Sequence, residues 1–106
     1  MGENLMKKKN TRVCCADGFS MSVQASANAY CSPRDDTGPY EAVEIGYPSA
    51  YEPMIAKYAE DPDNPTETVY GWVPSDKVSL IIVKHGGIIS GEVPDGIPHL
   101  KVPATS

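Results

Sequence analysis

Val13-Cys14-Cys15-Ala16-Asp17-Gly18-Phe19-Ser20-Met21-Ser22-Val23-Gln24 reads as a β-hairpin. Asp17-Gly18 is a type I′ turn signal, and Phe19, Met21 and Val23 alternate strictly with Ser20, Ser22 and Gln24, the period of a strand with one wet and one dry face. A two-residue turn sets Ala16 opposite Phe19, Cys15 opposite Ser20 and Cys14 opposite Met21. Cross-strand partners share a face, so Cys14 is expected on the apolar side and Cys15 on the polar side.

Beyond the hairpin, Ser26 to Pro39 is rich in Ser, Asn, Pro, Asp and Gly and reads as a long loop. Glu41 to Tyr47 alternates Val43, Ile45 and Tyr47 with Ala42, Glu44 and Gly46, a second clear strand. Ser49 and Glu52 have capping-box spacing and Pro53 suits a first helical turn, so a short helix is expected to about Glu60, with Met54, Ile55 and Tyr58 as its apolar stripe. Asp61-Pro62-Asp63-Asn64-Pro65 stops it, because a residue before proline is driven out of the α region.

Thr68 to Val73 is apolar on both faces and is expected as a central strand. Pro74 closes it, and Ser75 is expected to cap a second helix carrying Val78, Ile81, Ile82 and His85 at helical spacing. Gly86 ends that helix as a left-handed residue, with Lys84 and His85 near the negative end of its dipole. The expected fold class is α+β: an antiparallel sheet of about four strands with two short helices packed on one face. At 106 residues the chain is expected as a single domain over 12–89, after a flexible basic segment at 1–11 and before a disordered Pro/Gly-rich tail at 90–106.

Charge is divided unevenly along this framework. From Asp35 to Glu67 there are nine acids and one base, Lys57, a net −8 that exceeds the −5 of the whole chain. Lys7, Lys8, Lys9 and Arg12 offset it near the start. A field of one sign repels nucleic acid and attracts a basic partner. The acids Asp35, Asp36, Glu41, Glu44, Glu60, Asp61, Asp63 and Glu67, with Tyr40 among them, are therefore the expected partner-binding surface. Tyr40, Tyr47, Tyr51, Tyr58, Tyr70 and Trp72 lie mostly in the same half, and aromatics amid carboxylates suit a protein-binding surface, although at least half of them are expected to fill the core.

No apolar run approaches the roughly 20 residues that span a bilayer. Met1 to Arg12 has lysines but no apolar stretch behind them, so no secretory signal is expected and the cytoplasm is the expected location. Three cysteines, an odd number, fit free thiols in a reducing compartment.

Catalytic and metal signals are weaker. Cys15, Cys31 and His85 carry suitable zinc ligands, but adjacent cysteines on a strand point to opposite faces and no C-x-x-C occurs. A cysteine activated by His85 would need the two within hydrogen-bond reach, whereas a histidine before Gly86-Gly87 is also a simple C-terminal cap. Gly86-Gly87 follows a helix instead of preceding one, so it is no phosphate loop. The acid pairs Asp35-Asp36 and Asp61-Asp63 sit beside prolines as turn formers. No cofactor and no catalytic residue are expected.

Val13 to Ala25, Tyr30-Cys31-Ser32-Pro33-Arg34, Tyr70-Gly71-Trp72-Val73-Pro74 and His85-Gly86-Gly87 resemble segments of small proteins encoded by bacteriophages and prophages of enteric bacteria, over about Arg12 to Ile89. The resemblance implies a setting: small accessory phage proteins commonly bind host proteins, including defence nucleases. The expected function is a non-enzymatic phage binding protein whose acidic surface engages a basic host partner and inhibits a nucleic-acid-handling or defence protein in the bacterial cytoplasm, with neither nucleic acid nor membrane as partner. The alternatives are a small thiol or zinc module built on Cys15, Cys31 and His85, or a virion structural or assembly component.

Overall fold

The computed structural model describes residues 9–98. Its fold is α+β: five antiparallel strands in the order β4-β3-β2-β1-β5, one α-helix and one 3-10 helix. The strands are β1 (Val13–Cys15), β2 (Ser20–Gln24), β3 (Ala42–Gly46), β4 (Val69–Pro74) and β5 (Ile88–Ser90), and α1 spans Ser75–Lys84. The sheet has one strand more than expected, and the first of the two expected helices is the 3-10 segment Pro53–Tyr58.

The hairpin forms where expected but one residue out of register. Asp17 Oδ1 accepts the Phe19 N–H at 2.9 Å, Gly18 takes φ 97°, and the Cys15 N–H donates to Phe19 O at 2.8 Å. Ala16, Asp17 and Gly18 thus form a three-residue loop closed by a left-handed glycine, the other common hairpin solution. Val13 pairs with Met21 and Cys14 with Ser20. A slip of one residue exchanges the faces of a strand, so the expectation for the cysteines reverses: Cys15 is 1% exposed in the core and Cys14 is half-buried on the other face.

The inner face carries Val13, Cys15, Met21, Val23, Val43, Ile45, Tyr70 and Val73, and these form one core with Ile55 of the 3-10 helix and Val78, Ile81 and Ile82 of α1. Burying each such side chain contributes about 1.5–3 kcal/mol before conformational entropy is subtracted. Cys14, Ser20, Ser22, Gln24, Ala42 and Glu44 alternate with the core residues and are half-buried on the open face.

The glycine stop follows its sequence signal, but neither expected serine cap does: Pro74 holds the N-cap position of α1 without a side-chain bond, and Ser75, its first residue, donates its hydroxyl to Tyr40 O at 2.7 Å. Gly86, at φ 92°, donates to Val83 O and Gly87 donates to Ile82 O, the paired bonds of a Schellman stop. At the 3-10 helix it is Glu52 that caps, accepting the Met54 N–H at 3.1 Å, while Ser49 Oγ accepts the Ser20 N–H from β2.

β4 lies at the edge of the sheet, not at its centre. Its outer backbone is covered all the same: Glu60 N–H donates to Val69 O, Trp72 N–H donates to Tyr30 O, and Ala59 bridges Tyr70. That covering explains an apolar edge strand.

At the other edge, β5 pairs with β1 and the chain continues in contact with the domain. Glu92 N–H donates to Thr11 O, Asp95 O accepts the Tyr40 N–H, and Ile97 is 6% exposed. Residues 90–98 of the expected tail therefore pack on the domain. Asn10, from the segment expected to be flexible, exchanges two hydrogen bonds with the Gln24 side chain. Residues 1–8 and 99–106 of those terminal segments lie outside the described residues. Among the described residues, no helix is long and apolar enough to cross a membrane.

Candidate functional site

The open face is shaped by a bulge between β3 and β4. Val43 pairs with Val73 and Ile45 with Tyr70, which leaves Gly71 and Trp72 opposite Glu44 alone. A bulge breaks the alternation and re-aims the side chain after it. Tyr70 and Val73 consequently both point into the core, and Trp72 is turned outward, 51% exposed, at φ 51°. A left-handed conformation costs a bulky residue about 1–3 kcal/mol.

Tyr30, from the loop after β2, is fastened across this bulge. Its N–H donates to Glu44 Oε1 at 3.0 Å, and its carbonyl accepts the Trp72 N–H at 3.0 Å. Its ring stacks on Trp72 with centroids 5.0 Å apart and planes 24° from parallel. Gly71 permits the approach, because a Cβ there would lie 3.2 Å from Tyr30 Cβ. The result is a flat aromatic platform with a carboxylate at its side. Glu44 also walls a cleft of about 160 Å³ beside the platform, lined with Lys9, Gln24, Ser26, Asn28 and Ala29.

A second polar cluster lies where the hairpin turn, the 3-10 helix and the end of α1 meet. His85 Nδ1 is 2.6 Å from Asp17 Oδ2 and Nε2 is 2.7 Å from Glu52 Oε1. Carboxylates only accept, so both ring nitrogens carry hydrogen and the ring is an imidazolium. Lys84 Nζ donates to Glu52 Oε2 at 2.8 Å, and Phe19 stacks on the imidazole at 4.1 Å.

Burial alone would disfavour the charged form of His85, but the hydrogen bonds to Glu52 and Asp17 outweigh it and hold its pKa above the usual value. Burial opposes ionisation of Glu52 as well, and the bonds from Lys84, His85 and Met54 N–H outweigh it, holding that carboxyl low. Asp17 is lowered first by the Phe19 N–H and then by His85. Glu52, 1% exposed, is thus a buried charge matched by two cations, and the cluster ties three elements together. With both nitrogens held, the imidazole is arranged as a structural clasp.

The proposed ligand set Cys15, Cys31 and His85 is not assembled. Among the described residues, no three His, Cys, Asp or Glu side chains are grouped to hold a metal ion. The single Cys31 S–H is shared between Ser26 O at 3.2 Å and Pro33 O at 3.4 Å, and both nitrogens of His85 are already bonded. Cys15 has its pKa pushed up to about 11 by burial and then by the neighbouring Asp17 and Cys14, so it is a neutral thiol at physiological pH.

The expected acidic residues are accessible with one correction. Tyr40 is 2% exposed, with its hydroxyl donating to Asp35 O, so it belongs to the core and not to the surface. Asp35, Asp36, Glu41, Glu60, Asp61, Asp63 and Glu67 are exposed and Glu44 is half-buried. Their bonds divide them into two groups. Asp35 accepts from Thr37 and Gly38 N–H, and Asp36 from Ala27 N–H, beside the cleft-lining segment. Asp61 accepts from Asp63 N–H and Asn64 Nδ2 in the loop that leads into β4, and Glu60 N–H holds the start of that strand.

Sequence reasoning named Trp72 only as one of six aromatics and did not pair it with Tyr30. Gly71, a glycine inside a strand pattern, is the signal that marks the bulge. For the clasp at Glu52 the sequence holds no comparable signal, since a glutamate between Tyr51 and Pro53 gives no sign of burial. No protein family, curated protein or solved structure matches the chain.

Proposed function

We propose that this chain is a non-enzymatic binding protein whose open sheet face receives a basic segment of a partner protein. The observation that supports it most directly is Trp72, half exposed at a positive φ, backed by Tyr30 and flanked by Glu44. Strain of this kind, kept for an exposed ring outside the core, is what a recognition surface retains. Rings of this type attract cations through their faces, and the carboxylates of the two acidic groups extend the same preference outward and steer the encounter.

The resemblance to small phage proteins supplies the biological setting of the proposal. An accessory phage protein would use this face against a host nucleic-acid-handling or defence protein, its carboxylates occupying a channel built for phosphates.

The test is equilibrium binding of a fluorescently labelled lysine- and arginine-rich peptide, with an acidic peptide of equal length as control. The basic peptide should bind and lose affinity steeply between low and high salt. Equal or absent binding of the two peptides would refute the proposal.

A further inference from the structure

We infer that the Tyr30–Trp72 platform with Glu44 is an arginine-recognition site. The inference rests on the basic-partner reading above and specifies which side chain of the partner is read. Two properties of the site favour guanidinium over ammonium. The accepting surface is flat, because the Trp72 indole is backed by the Tyr30 ring at 5.0 Å and 24° and about half of the residue is open to solvent. A planar, weakly hydrated guanidinium stacks on such a face with less desolvation than a compact ammonium.

The second property is the placement of the carboxylate. Glu44 Oε1 is fixed by the Tyr30 N–H, and Tyr30 is in turn fixed by the Trp72 N–H, so the acid and the indole are held to the same residue. A guanidinium stacked on the indole keeps its N–H groups in its own plane, parallel to the ring and directed sideways, the approach a carboxylate on the neighbouring strand position requires, whereas an ammonium over the ring centre directs few donors that way. The occupant is therefore one arginine side chain on an exposed segment of a basic protein. Stacking alone would also suit a nucleobase, but the net −5 of the chain and the adjoining acids oppose a polyphosphate.

The experiment titrates the full chain with two peptides of identical sequence, one carrying arginine and the other lysine at every cationic position, and reads the emission of Trp72, the single tryptophan of the chain. The arginine peptide should bind about fivefold or more tighter. Glu44→Gln should remove most of that preference while leaving the urea midpoint unchanged, because the amide oxygen still accepts from the Tyr30 N–H. Equal affinity of the two peptides, or an arginine preference untouched in the Glu44→Gln chain, overturns the arginine inference and leaves the basic-partner proposal standing. Failure of both peptides to bind overturns both, as does tighter binding of a single-stranded oligonucleotide.

Discussion

The Glu52 carboxylate, 1% exposed, accepts from His85 Nε2 at 2.7 Å, and this bond joins the cap of the 3-10 helix to the stop of α1. Asp17 holds the opposite ring nitrogen, so the β1–β2 turn is closed onto the same imidazolium. Three sequence-distant segments thus depend on one protonated histidine.

Stability should pass through a maximum at mildly acidic pH. His85 is raised from its ordinary 6.5, so its contribution is complete below 6.5 and is lost as pH rises through the folded value. Glu52 and Asp17 are lowered from 4.5 and 3.8, so theirs are complete above those values and lost as pH falls through the folded ones. All three act together between 4.5 and 6.5, and urea midpoints across pH 3 to 9 should peak there. A midpoint still rising above pH 7 would contradict the imidazolium.

Glu52→Ala should destabilise the domain by about 3 kcal/mol, since removing one partner leaves His85 and Lys84 without their buried counter-charge. Urea titration measures it. A loss under about 1 kcal/mol would mean that the clasp is bridged by water in solution.

Thiol labelling of the folded chain distinguishes the two hairpin registers. Cys14 should react first, and Cys15, buried with its pKa pushed up to about 11, should be protected until unfolding. Rapid modification of Cys15 with Cys14 protected would restore the two-residue turn.

The sequence made the elements legible and their relations less so. The hairpin, the strand at 41–47, the helix from Ser75 and the glycine stop at Gly86 follow from local periodicity and breakers, although Ser75 turns its hydroxyl to Tyr40 O and does not cap the helix. The register of β1 does not, because Asp17-Gly18 serves both a two-residue and a three-residue turn, and the Asp17 bond to the Phe19 N–H decides between them. The edge position of β4 was hidden by its apolar faces, which the bulge at Gly71-Trp72 and the covering Tyr30 account for. For the candidate site, composition pointed to acids and aromatics in one half of the chain. Within β4 the bulge set which aromatic lies outside, Tyr70 going to the core and Trp72 to the surface, while Tyr40 is buried and Tyr47 and Tyr51 are exposed.

Gly86→Val should cost on the order of 1 kcal/mol or more, because a β-branched residue is strained at φ 92° and its Cβ would stand 3.0 Å from Ala16 Cβ. An unchanged urea midpoint would show that the Schellman stop is dispensable.

Charge reversal tests the acidic groups without unravelling their loops. Asp35, Asp36 and Asp61 accept loop hydrogen bonds, so lysine at Glu41, Glu60, Asp63 and Glu67 is the better combination. This variant should keep its stability within about 1 kcal/mol and lose about tenfold or more of its affinity for a basic peptide at low salt. Retained affinity and salt dependence would make the acidic block a solubility feature.

Trp72→Gly separates recognition from folding. Glycine accepts φ 51° without strain, so relief of the backbone should offset the lost Tyr30 stack and leave stability within about 1 kcal/mol of the parent, while binding of the basic peptide is lost. A variant that folds and binds as before would remove Trp72 from the interface.

The most direct measurement is acrylamide quenching of Trp72 in the full chain with and without saturating basic peptide. The chain has one tryptophan, so the signal comes from the proposed site alone. Bound peptide should cut the quenching constant about twofold or more, as a half-exposed indole is covered by its ligand. A peptide that binds while the quenching constant stays the same would place the interface elsewhere and contradict the central claim.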